Sequence, residues 1–370
     1  MQKTSPSGPT SLPGKFSFKN RARPVQWGLL VVFSAVFVFA GEELQLPAAM
    51  LLGAMLGAIL MAAGESTLKV HRWLSLGAQS VVGCLIARSI TAEFFTSMGQ
   101  HLPVILLSVC YVLFTSTLMG YLLARFRILP GTTAVWGSSP GAATAMTLMA
   151  DSFGADARLV AFMQYLRVVL VATAASFVLR LSTGVETVTP TEIIWFPPVD
   201  WSTLGPTLLL IVGGAFLGEI LRIPTGAMLV PLILGALLQD TGIITIDLPL
   251  WLLSISYLLI GWRIGLGFSR AIIAHAARAF PAVLTSTLFL FAVCGLFGMA
   301  LSHLLGLDPL TAYLATSPGG ADTVAIIAAS SNVDIPFIIA MQTSRFFVVL
   351  LAGPAIARFV AARIEKRKMS

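Results

Sequence analysis

Ser139-Pro140-Gly141-Ala142 and Ser317-Pro318-Gly319-Gly320 are two versions of one turn, and their spacing decides the fold. Pro318 follows Pro140 by 178 residues (318 − 140). The same offset aligns Met163-Gln164 with Met341-Gln342, Arg167 with Arg345, Asp156 with Asp334 and Arg180 with Arg358. Upstream it brings Pro103 onto Pro281, Gly83 onto Gly261, Trp73-Leu74 onto Trp251-Leu252, and Leu56-Gly57-Ala58 onto Leu234-Gly235-Ala236. After a one-residue slip, Gly41-Glu42 and Pro47 meet Gly218-Glu219 and Pro224. Two apolar stretches can match by chance, but a near-gapless register that keeps Pro, Gly, Trp, Gln and Arg does not arise that way. The chain is two copies of one unit of about 160 residues.

The solvent of that unit is lipid. Of the 370 residues, 57% are hydrophobic and 11% charged, where soluble domains carry about 25% charge. The mean hydropathy is +0.90. A soluble fold cannot hide so much apolar surface, because even large domains leave roughly a quarter of it exposed. An ordinary soluble enzyme, a disordered regulator and a disulfide-built secreted domain are excluded. Cys84, Cys110 and Cys294 lie in apolar runs and read as buried thiols. The net charge of +7 gathers in the two ends, which on a membrane protein reads as retention on the cytoplasmic side, not as nucleic-acid binding.

Each unit holds six apolar segments. They fall near 26–41, 47–63, 73–90, 102–124, 132–150 and 157–180, then near 204–221, 225–239, 250–268, 280–302, 310–329 and 335–358. Val38-Phe39-Ala40 resembles a signal cleavage site, but this first segment has a counterpart in the second unit and reads as an uncleaved helix. The division expected is a basic cytoplasmic tail at 1–24, membrane repeat 1 at 25–182, an acidic extracytoplasmic linker at 183–202, membrane repeat 2 at 203–362 and a basic tail at 363–370. Loop charges orient the copies. Lys69, His71 and Arg72 follow the second segment of unit one, whereas Asp240 and Asp247 follow that of unit two. Arg125 and Arg127 follow the fourth segment of unit one, and Asp308 that of unit two. Opposite signs at equivalent loops predict an inverted pair with both termini cytoplasmic. The expected fold is all-α and polytopic, with five crossing helices per repeat plus one broken or re-entrant helix. The fifth segment, rich in Gly, Ala, Ser and Thr, is the one expected not to cross. A complete crossing helix with a proline kink is the alternative.

Three groups of residues could carry chemistry. The first is the paired turn, Ser139, Pro140 and Gly141 with Ser317, Pro318, Gly319 and Gly320. Proline suits a first helical turn, and glycine lets a backbone approach a ligand. Two such helix starts related by a pseudo-twofold axis make a binding site near the midplane; the alternative is tight helix packing. The second is Gln164-x-x-Arg167 with Gln342-x-x-Arg345, where a spacing of three shares one helix face. Each arginine needs a carboxylate, a wet cavity, an anionic ligand or the carbonyls of the broken helix. The third is Asp322, which stands where unit one has Thr144 and suits a proton, a cation, an arginine or a helix cap. Asp151, Asp156 and Asp334 read as loop or cap residues. Arg263 stands in an apolar segment where unit one has Leu85, and the sequence supplies no mechanism for it.

The duplicated unit, with Ser-Pro-Gly followed by Met-Gln-x-x-Arg, resembles the bacterial AbrB membrane family, from about residue 26 to 360. That family is distinct from the soluble DNA-binding regulator of the same name. The resemblance implies a multi-pass protein of the bacterial inner membrane. It brings two labels, regulator of gene expression and ammonia monooxygenase, and no set of functional residues beyond the paired motifs. More loosely, Pro318-Gly319-Gly320 is similar to the broken-helix motif of bile-acid/sodium symporters and related antiporters, which are inverted-repeat secondary transporters.

A secondary transporter of a small solute, working by alternating access, is the reading these features favour. An arginine pair facing helix starts would select a small anion such as a carboxylate. The expected partners are the bilayer and that solute, with no direct nucleic acid; transporters of this architecture often form homodimers. No cofactor and no metal are expected, because His71, His101, His275 and His303 form no short-range pair for copper or iron. Indirect regulation of gene expression, through the solute moved, is the alternative function.

Overall fold

A computed structural model describes residues 18–19, 21–44, 49–88, 90, 99, 102–141, 143–183, 200–223, 225–319 and 333–369. Thirteen helices lie among them. They are α1 (Arg23–Glu43), α2 (Ala49–Ala63), α3 (Arg72–Ala87), α4 (Leu102–Arg125), α5 (Gly131–Ser138), α6 (Ala143–Ser152) and α7 (Ala157–Thr183) in unit one. Unit two supplies α8 (Trp201–Ile220), α9 (Gly226–Asp240), α10 (Leu250–Gly265), α11 (Arg270–Leu305), α12 (Pro309–Thr316) and α13 (Ile335–Met369). Their starts follow local chemistry. Pro24 stands in the first turn of α1, and the Asp308 carboxylate accepts from the Thr311 amide to cap α12.

Among the described residues the apolar segments read from the sequence become helices, the fifth of unit one as two, with two further differences. α11 begins at Arg270, about ten residues before the apolar run, because Arg270 and Arg278 continue the helix instead of forming a loop. α13 runs on through the basic end to Met369. Five helices among the described residues are long and apolar enough to cross a bilayer: Arg23–Glu43, Leu102–Arg125, Trp201–Ile220, Arg270–Leu305 and Pro336–Val360. Large apolar side chains point outward from them, with Val36 60%, Leu209 75% and Leu296 62% exposed. A water-facing surface would not carry such a belt, so the chain is an all-helical, polytopic membrane protein. Cys84 and Cys294 are buried as expected; Cys110 is instead exposed, on the outer side of α4.

The helices sort into two bundles. One, the frame, joins the first three helices of both units: α1 packs on α2, α2 on α10, α3 on α9, and α8 on α9 and α3. The exchange is reciprocal. A Cβ on Gly83 of α3 would meet the Met228 carbonyl oxygen of α9 at 2.3 Å, and one on Gly261 of α10 would meet that of Leu51 of α2 at 2.7 Å. Only glycine permits this backbone approach, and it falls at repeat-related positions. The other bundle, the core, joins α4–α7 with α11–α13. The apolar interior runs through both, with Ala145, Met146 and Met149 of α6 packed among Leu51, Val82, Met228 and Ile260 of the frame.

Candidate functional site

The fifth segment of unit one is broken. α5 ends at Ser138, Ser139 is extended (φ −63°, ψ 128°), and α6 starts at Ala143. Proline dictates the break, because it lacks an N–H and pushes the preceding residue out of the helical region. The segment also turns back. The Asp156 amide, beyond the end of α6, donates to Thr133 Oγ1 at the start of α5, at 3.1 Å. The chain therefore enters and leaves at one end, as a hairpin. In unit two, α12 ends at Thr316, and the Asp334 amide donates to Thr311 Oγ1 at 3.2 Å. Thr133 and Thr311, 178 residues apart, were not singled out in the sequence; their register with Asp156 and Asp334 was the available signal.

Breaking a helix inside an apolar bundle strands carbonyls, and each must find a donor. Gln164 and Arg167, one turn apart on α7, supply them. Gln164 Nε2 donates to the carbonyls of Trp136 (2.9 Å) and Ser139 (3.0 Å). Arg167 donates through Nη1 to Ser139 (2.8 Å) and through Nη2 to Gly141 (3.1 Å), and also to the Gln164 side chain. Unit two repeats this contact for contact. Gln342 donates to Leu314 (2.7 Å) and Ser317 (3.3 Å), and Arg345 to Ser317 (2.6 Å), to Gly319 (2.8 Å) and to Gln342. All four side chains are buried, none more than 3% exposed. Of the partners open at the sequence level, the arginines take the broken helix's carbonyls.

The two tips meet. Arg167 lies within electrostatic reach of Arg345, and Cys294 within reach of both. Among the described residues neither arginine has an acidic partner, and the Nε of each is buried without a hydrogen bond. A cavity of about 10 Å³ beside Arg167, bounded by Ser138, Ser286 and Thr287 among others, is the size of one water. Gly320 and Asp322 lie outside the described residues. Thr144, at the position equivalent to Asp322, shares a hydrogen bond with the Tyr165 hydroxyl (3.2 Å). Asp334 caps α13 through the Phe337 amide, as expected of a cap residue. Asp156 binds Arg158; burial pushes its carboxyl up, but the hydrogen bond and charge of Arg158 outweigh that and hold it below the usual carboxylate range.

A family described as transition state regulatory protein AbrB matches residues 50–361 of the chain. The chain is 47% identical over 345 residues to a protein of Escherichia coli (strain K12) whose provisional name is regulator AbrB, covering 93% of this chain and 99% of that one. It is 25% identical over 306 residues to YhjN of Bacillus subtilis (strain 168), whose name assigns no activity, covering 78% of this chain and 79% of that one. The match spans the turns, the Gln-x-x-Arg pairs and nearly all of both bundles: this membrane-embedded chain belongs to the AbrB family.

Proposed function

We propose that this protein is a secondary transporter of a small anionic solute, built from two inverted repeats that work by alternating access. The observation that carries the proposal is the pair of buried arginines, one beside each Ser-Pro-Gly turn and within electrostatic reach of each other, with no carboxylate bonded to either among the described residues. Two like charges inside a bilayer are costly, and an anion passing between them offsets both. Asp322, three residues past Gly319, is the proposed coupling-ion or proton site.

The hairpin geometry supports the inverted arrangement. A segment that returns to its own start adds no crossing, so each unit keeps five, and an odd count turns the second unit over. In this reading 25–182 and 203–362 are the repeats, the acidic stretch 183–202 lies outside, and both termini and the base of the first hairpin lie in the cytoplasm. The division into frame and core supports motion of one bundle past the other.

The test is uptake of labelled acetate, lactate, succinate and glutamate into liposomes holding the full-length protein. Uptake by the wild type, with loss in Arg167→Lys and Arg345→Lys, is the expected result. Uptake that persists unchanged in both Arg167→Ala and Arg345→Ala removes the anion role. The relative's name favours a second reading, regulation of gene expression, here acting through the solute moved. Transport-dead variants that still correct the expression defect of a deletion strain would separate signalling from transport.

A further inference from the structure

A second polar site lies at the base of the first hairpin, remote from the arginine pins in chemistry and in helix position. It is a cavity of about 210 Å³, far larger than the single-water space beside Arg167. It opens where the first turn of α3, the last turns of α6, α8 and α10 and the start of α9 converge, and Arg72, Gln79, Glu219, Thr225, Arg263 and Ser152 line it. Arg72 hydrogen-bonds Glu219. Arg263 donates to Ser75 Oγ (2.6 Å) and to Asp151 Oδ2 (2.9 Å). Thr225 Oγ1 donates to Ser152 Oγ (2.9 Å).

Three observations mark this as more than a wet crevice. Gln79 is 6% exposed, lines the cavity, and its amide makes no hydrogen bond among the described residues. A primary amide that can both donate and accept therefore opens onto the cavity from an otherwise buried side chain. Thr225 holds φ +57°, a left-handed conformation that a β-branched residue adopts only when its surroundings impose it. Four of the polar residues also have no polar counterpart in the other copy, whereas Glu219 and Ser152 keep Glu42 and Ser330. The positions equivalent to Arg72, Arg263, Asp151 and Thr225 are Leu250, Leu85, Ala329 and Ala48.

We propose that this cavity binds a compact zwitterion, its anionic end on Arg72 and its cationic end on Glu219, with Gln79 between them. The charge balance selects that class. Arg72 and Arg263 are matched by Glu219 and Asp151. A lone anion on Arg72 strands Glu219 beside it, and a lone cation on Glu219 strands Arg72. A zwitterion replaces both halves of the exchanged pair at once. The Arg72–Glu219 pair is largely exposed, so opening it costs little, and a guanidinium takes a carboxylate or phosphate in bidentate fashion. Free amino acids and the headgroup of phosphatidylethanolamine share this chemistry. Because Asp151 and Ser152 end the hairpin while Arg263 and Thr225 belong to the frame, occupancy here is felt where the two bundles join.

The site does not depend on the transport reading, and its test is equilibrium binding. The full-length protein in detergent is unfolded by heat with glycine, L-alanine or L-glutamine, with acetate or methylammonium as single-charge halves, and in mixed micelles of phosphatidylethanolamine or phosphatidylglycerol. A rise of several degrees with the zwitterions and none with the halves is expected, lost in Gln79→Leu and in Glu219→Gln. Protection by phosphatidylethanolamine alone places the zwitterion on a lipid; protection by the amino acids places it in solution. Equal protection by acetate or methylammonium, undiminished protection of both variants, or no protection by any zwitterion overturns the proposal.

Discussion

At the tip of the first hairpin, Gln164 and Arg167 close the break on Trp136, Ser139 and Gly141; in the second copy Gln342 and Arg345 close it on Leu314, Ser317 and Gly319. At the base the copies part. Asp151 and Ser152 tie the first hairpin to Arg263 and Thr225 of the frame, and Arg158 at the start of α7 reaches the Gly267 carbonyl, while Ala329 and Pro336 stand opposite Asp151 and Arg158, and Ser330 opposite Ser152, in the repeat register. The difference follows from the surroundings. The tips sit in an apolar interior where a stranded carbonyl has no water to turn to, so both copies need the same donors. The first base is half exposed, and there polar residues can be gained or lost at small cost. What the copies share at the tips is therefore structural necessity, and what distinguishes them is the polar contact of the first base with the frame.

Removing a pin is the hardest test of that division. Arg167→Leu and Arg345→Leu each leave buried acceptors without donors, at roughly 1–3 kcal/mol per acceptor. Thermal midpoints in detergent should fall in both variants by similar amounts; a tolerated loss in one copy would break the equivalence of the tips. Next come the reciprocal glycines of the frame. Gly83→Leu and Gly261→Leu force apart backbones already in contact, at about 1–3 kcal/mol each, and matched drops in midpoint are expected. Cutting the base should do little to stability. Arg263→Leu and Asp151→Ala are each expected to cost no more than about 1 kcal/mol, yet amide exchange across residues 151–158 should quicken. Unchanged exchange would show that the polar ties do not hold the hairpin.

The smallest effect is a pH dependence. Because Arg158 depresses the Asp156 carboxyl, their pairing stabilises the fold fully at neutral pH and less as the pH falls through the lowered value, below the ordinary carboxylate figure of about 3.9. The difference in midpoint between wild type and Arg158→Leu should shrink on acidification below the ordinary carboxylate range and vanish once the pH has passed the lowered value. A difference that grows would reverse the sign of the linkage.

Much of this was legible in the residues. Long continuous runs of apolar side chains mark helices because in lipid such a segment must satisfy its own backbone, and Ser-Pro-Gly marks the break because proline cannot continue a helix. The side chain of Arg167 was harder to place. A spacing of three puts it beside Gln164, but periodicity cannot say whether that face meets a ligand or a carbonyl. Arg263 stood out as a charge in an apolar run, while its partner Asp151 is 112 residues away and no local pattern links them. Arg72 stands among loop charges and Glu219 in a repeat-matched Gly-Glu pair; no local pattern marks Thr225, and the signal for Gln79 is a glutamine inside the apolar run 73–90. Arg270 and Arg278 stand outside the apolar run 280–302, and charge alone does not distinguish a connection from the wet end of a long helix.

The reciprocal contact of Gly83 with α9 and Gly261 with α2 carries a lesson about ancestry. Each unit's third helix lies against the other unit's second, so a half-length chain has a docking edge and nothing of its own to fill it. An ancestor one unit long would have been an obligate pair, and the linker between the copies only made that partnership permanent. Two gene fragments parted within 183–202 and expressed together should still find one another, each completing the helix contacts that the other lacks.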